Sequence, residues 1–191
     1  GVAFVGFFFS ATMVAREFEY GAEVTQEEKI LDITSDTLEL SLVAKEYDAL
    51  FGLDDGEVKI TDDKFIFENL SVSIKRADNQ SFEFVQVNEA RGVNPQQAND
   101  LANAIDFDYQ LEGSHLTLPT DIEVTKSNQF RVQGVKVTLY IPEGKFIKLD
   151  QDLNGFQGNI QRKDPDNRVW KSRGNIWVME DLGLVCVDCE Q

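Results

Sequence analysis

The chain has 191 residues, enough for one large domain or two small ones with a hydrophobic core. Its 42% hydrophobic and 27% charged residues are ordinary globular proportions, which exclude a disordered tail. Its 34 acidic and 18 basic residues give a net charge of −16, which repels phosphate backbones and excludes nucleic acid as a partner. The sequence therefore predicts an acidic globular protein that does not bind nucleic acid.

The first segment, Gly1 to Ala15, carries no charge and is rich in Phe and Val. It is shorter than the roughly 20 apolar residues that span a bilayer, and it lacks the basic start of a signal peptide. We interpret it as an N-terminal helical segment, the remnant of a transmembrane helix; a short buried or amphipathic helix is the alternative. Glutamates and the single Arg16 follow, unlike the Lys/Arg-rich flank of a cytoplasmic side. We therefore assign residues 1–28 to the end of a membrane helix plus an acidic connector.

From Lys29 onward, apolar and polar residues alternate with the period of two that half-buried strands produce. The alternating sets are Leu31/Ile33, Leu38/Leu40/Leu42, Val58/Ile60, Phe65/Phe67, Val72/Ile74, Phe82/Phe84, Phe107/Tyr109/Leu111, Leu116/Leu118, Ile122/Val124, Val135/Val137/Leu139/Ile141 and Ile176/Val178. Turn residues such as Asp55-Gly56 separate the sets, with no strict repeat and no immunoglobulin spacing of Cys and Trp. We predict a mainly β fold, an irregular β-solenoid or stacked-sheet roll, as a single domain over residues 29–191.

One short helix is predicted inside this domain, near residues 94–105. Asn94 is a suitable N-cap, Pro95 suits the first helical position, and Gln97 stands three residues after the cap. The apolar positions that follow, spaced i, i+3, i+4 and i+7, are Ala98, Leu101, Ala102 and Ile105. This stripe predicts a helix that lies on a sheet as part of the core and carries no cofactor chemistry.

His115 is the only histidine, so any histidine-dependent catalysis would depend on it. Ser114 precedes it, but neighbours in sequence are not triad geometry, and no G-x-S-x-G elbow is present. Glycine-rich phosphate loops are also absent from the sequence. We interpret His115 as a surface residue where a turn enters a strand. We assign no catalytic residue, no cofactor and no cofactor-binding residue, and predict that the chain is not an enzyme.

The densest acidic cluster consists of Asp54, Asp55 and Glu57, with Asp62 and Asp63 nearby. It lacks the alternating ligands and the final glutamate of a calcium loop. Acidic residues beside a glycine are first of all turn residues. We therefore assign no metal ligand and keep weak binding of divalent cations as an alternative.

Cys186 and Cys189 form a C-x-x-C pair close to the C-terminus. A zinc site normally needs four ligands, and a thioredoxin-like pair would open a helix instead of closing the chain. Three interpretations stay open: a local disulfide in an oxidising compartment, two reduced thiols, or half of an intermolecular metal site. We favour a local disulfide or thiol pair, with a redox function as the alternative.

Several segments resemble the C-terminal region of bacterial PspC-domain membrane proteins. They are Glu89–Gly92, Ile105–Tyr109, Val137–Gly144 with Lys148–Asp150, the closing Cys186–Cys189, and the apolar start with its acidic connector, so the resemblance covers Gly1 to Gln191. It implies a toastrack or adhesin-like domain, rich in β-structure and similar to a solenoid. The resembling motifs carry no catalytic residue over, and the PspC module itself is not in this sequence.

The resemblance also implies a function, namely a non-enzymatic sensing, scaffolding or interaction domain of a PspC-type envelope-stress protein. We expect an upstream membrane anchor, a location in the periplasm or elsewhere outside the cytoplasm, and protein partners or self-association through sheet faces or edges. The alternative is a surface adhesin or glycan-binding module, for which Trp170, Trp177 and Tyr140 are the candidate aromatic contacts. A hydrolase with paired carboxylates is the third hypothesis, and it would require their burial.

Overall fold

The computed structural model describes residues 20–47, 51–53, 58–126, 132–150, 160 and 174–189. These residues form fourteen strands and one helix. The elements are β1 (Tyr20–Ile30), β2 (Thr37–Val43), β3 (Phe51–Leu53), β4 (Val58–Ile60), β5 (Lys64–Glu68), β6 (Leu70–Arg76), β7 (Glu83–Gly92), α1 (Pro95–Asn103), β8 (Gln110–Glu112), β9 (His115–Pro119), β10 (Asp121–Thr125), β11 (Gly134–Ile141), β12 (Phe146–Leu149), β13 (Ile176–Glu180) and β14 (Gly183–Cys186). The prediction of a mainly β fold with one short helix is confirmed. The predicted membrane-helix remnant lies outside the described residues.

The strands form three sheets. The first has the order β1-β7-β11-β6, the second β10-β5-β4-β3, and the third β14-β13-β12-β2-β9-β8. Most neighbouring strands are antiparallel, but β6 and β11, β2 and β12, and β2 and β9 are parallel pairs. In the third sheet β2 lies between β12 and β9, which both come later in the chain. Successive coils of a solenoid would instead place their strands side by side in chain order. The solenoid arrangement therefore stays a prediction.

Strand β1 differs from the sequence-based expectation. Residues 20–28, expected as a solvated connector, lie in a strand that pairs antiparallel with β7, interrupted by an irregularity between Thr25 and Glu27. Val24 is half-buried and packs against the helix side of the sheet, while most of the acidic side chains take exposed positions. Charged residues are common on such edge strands because they prevent edge-to-edge association. The acidic composition that indicated a connector is therefore equally typical of an edge strand.

The main core draws on all three sheets. Its fully buried members include Leu38, Leu40, Ile74, Phe84, Leu116, Leu118, Ile122, Leu139, Ile141, Ile147 and Trp177. Nearly all of them are the apolar positions of the alternating pattern, because every second side chain of a strand points to the same face. The opposite faces of the strands carry the polar residues from which the candidate site is built.

Helix α1 begins as the capping pattern predicts. The Asn94 side chain accepts a hydrogen bond from the Gln97 backbone N–H at 2.8 Å, and the Gln97 side chain accepts one from the Val93 N–H at 2.8 Å. These two contacts satisfy backbone donors that the first helical turn leaves without partners. The helix then packs on β7 and β1 through a small second core formed by Ala90, Leu101 and Ala102, with Val24 packed against it.

Candidate functional site

His115 is the first residue of β9 and lies on the outer face of the third sheet. The parallel register of β9, β2 and β12 places it opposite Glu39, and Glu39 opposite Lys148. Leu38 and Leu40, on either side of Glu39, point into the core. The three polar side chains are exposed by 47%, 42% and 46% respectively, so they form an exposed row across three strands.

A second row begins with Ser41, which is only 5% exposed. Its hydroxyl donates a hydrogen bond to Asp150 Oδ2 at 2.9 Å, and His115 Nε2 lies 3.1 Å from Ser41 Oγ. The other ring nitrogen, His115 Nδ1, lies 3.8 Å from Glu39 Oε2, and Lys148 Nζ lies 3.7 Å from that carboxylate oxygen. A continuous polar chain therefore runs from Glu39 through the imidazole and the hydroxyl to Asp150.

These side chains surround a cavity of about 250 Å³, which we call the polar groove. It is lined by Glu39, Leu40, Ser41, His115, Lys148, Leu149, Asp150 and Gly174. The lining combines two carboxylates, an imidazole, an ammonium group and a hydroxyl, so it offers both hydrogen-bond donors and acceptors to a ligand.

The polar groove has the composition of a serine triad but a different hydrogen-bond arrangement. In a catalytic triad the serine hydroxyl donates its proton to the histidine, which then acts as a general base. Here the Ser41 hydroxyl donates to Asp150, and its oxygen lies within hydrogen-bond distance of His115 Nε2. This arrangement connects β2 with β9 and with the residue that follows β12.

Sequence reasoning located His115 at the start of a strand on the surface, which is confirmed, but missed Ser41 and Asp150. It considered Ser114 because that residue is adjacent in sequence. Ser41 and His115 are 74 residues apart along the chain, and Ser41 and Asp150 are 109 residues apart. Only the pairing of β2 with β9 and β12 brings them together, and no local motif encodes such pairing.

The predicted acidic cluster falls partly outside the described residues, since Asp54, Asp55 and Glu57 are not among them. Asp63 accepts a hydrogen bond from Thr61 Oγ1 at 3.2 Å in the turn between β4 and β5. Within the described ranges, no three His, Cys, Asp or Glu side chains are grouped so that they would hold a metal ion. Weak binding of divalent cations stays a prediction.

A second polar cluster surrounds Glu123 on β10. Lys64 Nζ lies 2.6 Å from one carboxylate oxygen, while Tyr47 OH and Lys45 Nζ lie 3.2 and 3.4 Å from the other. Burial raises the pKa of Glu123, but the hydrogen bonds and charges of Lys64, Lys45 and Tyr47 together outweigh it, so the pKa is lowered overall. Burial and the nearby Glu123 and Asp121 carboxylates raise the pKa of Tyr47. The cluster fastens the segment after β2 to β10 and β5, which is a structural role.

The C-x-x-C pair closes a local disulfide between Cys186 and Cys189, the first of the three interpretations left open by the sequence. Asp188 lies inside this loop, and its Oδ1 accepts hydrogen bonds from the Ile176 backbone N–H at 2.8 Å and the Asn175 side chain at 3.1 Å. The Ile176 and Asn175 bonds lower the pKa of Asp188, so the carboxyl group is charged at neutral pH.

The two aromatic candidates for glycan contact that the structure describes do not form a platform. Trp177 is fully buried in the main core and is therefore unable to stack on a ligand. Tyr140 is partly exposed on β11, in the first sheet, whereas the polar groove belongs to the third. Trp170 lies outside the described residues.

One family profile matches residues 59–191, more than half of the chain, and it is described as the C-terminal "ToastRack found in some PspC". No curated protein and no solved structure matches the chain. No helix within the described ranges is both long and apolar enough to cross a bilayer.

Proposed function

Because the chain belongs to the ToastRack family found in some PspC proteins, we propose that it is a non-enzymatic interaction domain of a membrane-anchored envelope protein. The observation that carries this proposal is the family match over residues 59–191. The toastrack family is not a known enzyme family, and its association with PspC indicates a membrane-associated protein. Sensing or scaffolding of envelope stress, with the domain outside the cytoplasm, is the specific role that we propose.

The polar groove supports the non-enzymatic part of the proposal. The Ser41 hydroxyl donates its proton to Asp150 in the described geometry, although His115 Nε2 lies within reach of the same hydroxyl oxygen. Nucleophilic catalysis by serine requires that the histidine accept this proton. The constellation therefore favours a role in holding the sheet or binding a ligand over one in bond cleavage.

The edge of β1 is the surface that we assign to a protein partner. Among the described residues, β1 is the longest strand and hydrogen-bonds to another strand, β7, on one side only. An edge strand offers unpaired backbone donors and acceptors to an added strand from a partner, and the acidic side chains of β1 would disfavour a second copy of this chain over a partner of opposite charge. A photo-crosslinking residue at Thr25 is expected to capture a partner in intact cells. The same residue at Asp78, in an exposed turn after β6, serves as the matched control.

Topology is the first test of the proposed location. A reporter that is active only outside the cytoplasm would be fused to the C-terminus of the full-length protein in intact cells. We expect activity, because the domain is proposed to lie in the periplasm or elsewhere outside the cytoplasm. An inactive reporter on a stably expressed fusion would place the domain in the cytosol and would contradict the proposal.

The polar groove favours a second candidate function, the binding of an envelope glycan. Sugar hydroxyl groups both donate and accept hydrogen bonds, as do the groups around His115 and Glu39. Calorimetric titration with soluble cell-wall glycan fragments is the test. Binding that is lost in His115→Ala, but retained in the distant surface variant Asp78→Ala, would favour this function. Absence of heat with every fragment would leave the interaction domain as the sole proposal.

A further inference from the structure

The disulfide loop lies at the surface of the third sheet, where β14 ends beside the start of β13. Val187 is 57% exposed at the middle of the loop, and its backbone N–H donates to the Ile176 carbonyl at 2.9 Å. Cys186 and Cys189 are half-buried, each with one side against the main core. The disulfide therefore belongs to a surface loop, and both cysteine side chains are partly exposed.

The sulfur atom of Cys186 lies close to a fixed negative charge. Asp188 Oδ1 lies 3.9 Å from Cys186 Sγ, and the bonds from Ile176 and Asn175 hold the carboxylate in that position. A fixed negative charge at this distance disfavours a thiolate on Cys186 and favours its protonated thiol, whose S–H would donate to the carboxylate. In a reaction that breaks the sulfur bond, Cys189 is therefore the better leaving group.

We propose that the Cys186–Cys189 disulfide is a thiol–disulfide exchange site for the dithiol of a partner protein, with Cys186 as the sulfur that is attacked. The first partner thiolate bonds to Cys186 Sγ, the bond between Cys186 and Cys189 breaks, and the electron pair leaves on Cys189, which takes a proton from water. The second partner thiolate then attacks its own neighbour in the mixed disulfide. Cys186 leaves and is protonated, so the chain gains two electrons and two protons while the partner dithiol becomes a disulfide.

Exchange without unfolding requires that the fold does not depend on the sulfur bond. The two cysteines are separated by only three positions, and the chain-entropy contribution of a disulfide falls as the loop it closes becomes shorter. The pairing of β13 with β14, from Trp177–Cys186 to Glu180–Gly183, is made by the backbone. Trp177 and Leu184 on these strands are buried in the main core independently of the bond. The reduced chain is therefore expected to keep its fold.

The exchange site adjoins the polar groove through the chain segment that precedes β13. Asn175, which donates to Asp188, also accepts a hydrogen bond from the Leu149 N–H at 3.3 Å. Gly174 donates to the Leu149 carbonyl at 2.9 Å, and Gly174 and Leu149 both line the polar groove. Asp188 in the disulfide loop is thus connected through Asn175 to Gly174, which lines the polar groove.

The test uses the oxidised full chain and reduced glutathione as a monothiol probe, with acid quenching and peptide mass mapping. We expect glutathione on Cys186 in about tenfold excess over Cys189, because the Asp188 charge disfavours Cys186 as the leaving thiolate. Circular dichroism and tryptophan fluorescence are expected to stay unchanged. The matched variant Asp188→Asn keeps an acceptor for Ile176 and removes the charge, so the ratio is expected to approach one.

Three outcomes would overturn the proposal. The first is an adduct that forms only in denaturant, which would make the bond inaccessible in the folded chain. The second is an adduct mainly on Cys189, which would contradict the assigned order of attack. The third is unfolding of the chain on reduction by dithiothreitol, which would make the disulfide a structural bond. None of these outcomes depends on the proposed interaction function, so the two proposals fail separately.

Discussion

Gly92 lies directly against the backbone of Ala98. A Cβ atom added to Gly92 would be 2.7 Å from the Ala98 nitrogen, closer than any ordinary contact between a Cβ and a backbone atom. This close approach joins the last residue of β7 to the first turn of α1, and it allows the small side chains of the helix to reach the sheet. The glycine is therefore required by the distance between two pieces of backbone.

Replacing Gly92 by Ala is expected to destabilise the chain. The added methyl group would push α1 away from β7, and overpacking of this kind costs about 1–3 kcal/mol of unfolding free energy. Urea denaturation followed by circular dichroism measures the loss. Gly21→Ala on β1 is the matched control, because an added Cβ there meets nothing within 4 Å. Equal stability of the two variants would contradict the contact.

Asn88 is expected to be indispensable for the end of α1. Its side chain is 1% exposed, donates to the Ala102 carbonyl at 3.1 Å and accepts from Gln86 Nε2 at 2.9 Å. Asn88→Ala would therefore remove a buried bond at the end of the helix and take the acceptor away from the buried Gln86 amide. The expected loss is about 1–3 kcal/mol of unfolding free energy. Asn103→Ala removes a similar bond to the Asn99 carbonyl on the exposed side of the helix, and it should cost less than about 0.5 kcal/mol. A similar loss in both variants would argue against the buried bond.

Glu123 is expected to make stability depend on pH in the acid range. Burial raises its pKa, but the hydrogen bonds and charges of Lys64, Lys45 and Tyr47 together outweigh burial, so the pKa is lower in the folded chain than the ordinary glutamate value of 4.5. The stabilisation is therefore complete above about pH 4.5 and is lost as the pH falls through the lower folded-state value. Glu123→Gln should lose about 1–2 kcal/mol at neutral pH and show a smaller further loss in acid than the parent chain.

Urea denaturation at neutral pH and in acid provides this comparison. Glu68→Gln, an exposed substitution on the neighbouring strand β5, is the control and should follow the parent chain at each pH. If Glu123→Gln shows the same pH dependence as the parent chain, the charge on Glu123 does not contribute as described.

Ser41 is expected to behave as an unreactive hydroxyl. A fluorophosphonate probe labels serines whose proton is taken by a histidine, and Ser41 donates its proton to Asp150 instead. We expect no mass increase of the intact chain after incubation with the probe, under conditions that label a serine esterase completely. Labelling that disappears in Ser41→Ala would reveal an activated serine and would contradict the non-enzymatic proposal.

Local patterns in the sequence were sufficient to predict the helix and most of the strands. Leu38 and Leu40 are buried as their alternation requires, and Asn94 caps α1 as its position before Pro95 indicates. Both features arise from neighbours within a few residues, where side-chain geometry repeats with a fixed period. Strand β1 was missed because its charged residues occupy the exposed face of a sheet edge, and such a strand has no continuous apolar face.

The polar groove was beyond the reach of the same reasoning. Ser41 and His115 lie on two strands, and Asp150 directly follows a third, all distant along the chain, so their contact depends on parallel pairing in one register. A shift by one residue would turn Ser41 towards the core and separate the hydroxyl from Asp150. The sequence contains the residues but no local signal for the register.

The uniqueness of His115 makes the polar groove accessible to spectroscopy. A chain with a single imidazole gives one pair of histidine ring signals in a proton NMR spectrum, and these signals need no assignment by mutation. Since the ring lies between Glu39 and Ser41, their chemical shifts would respond to a ligand in the groove and to protonation of the ring. They would also respond to opening of the disulfide loop if that change reaches Gly174. Each isolated sample thus contains its own reporter, with no label added.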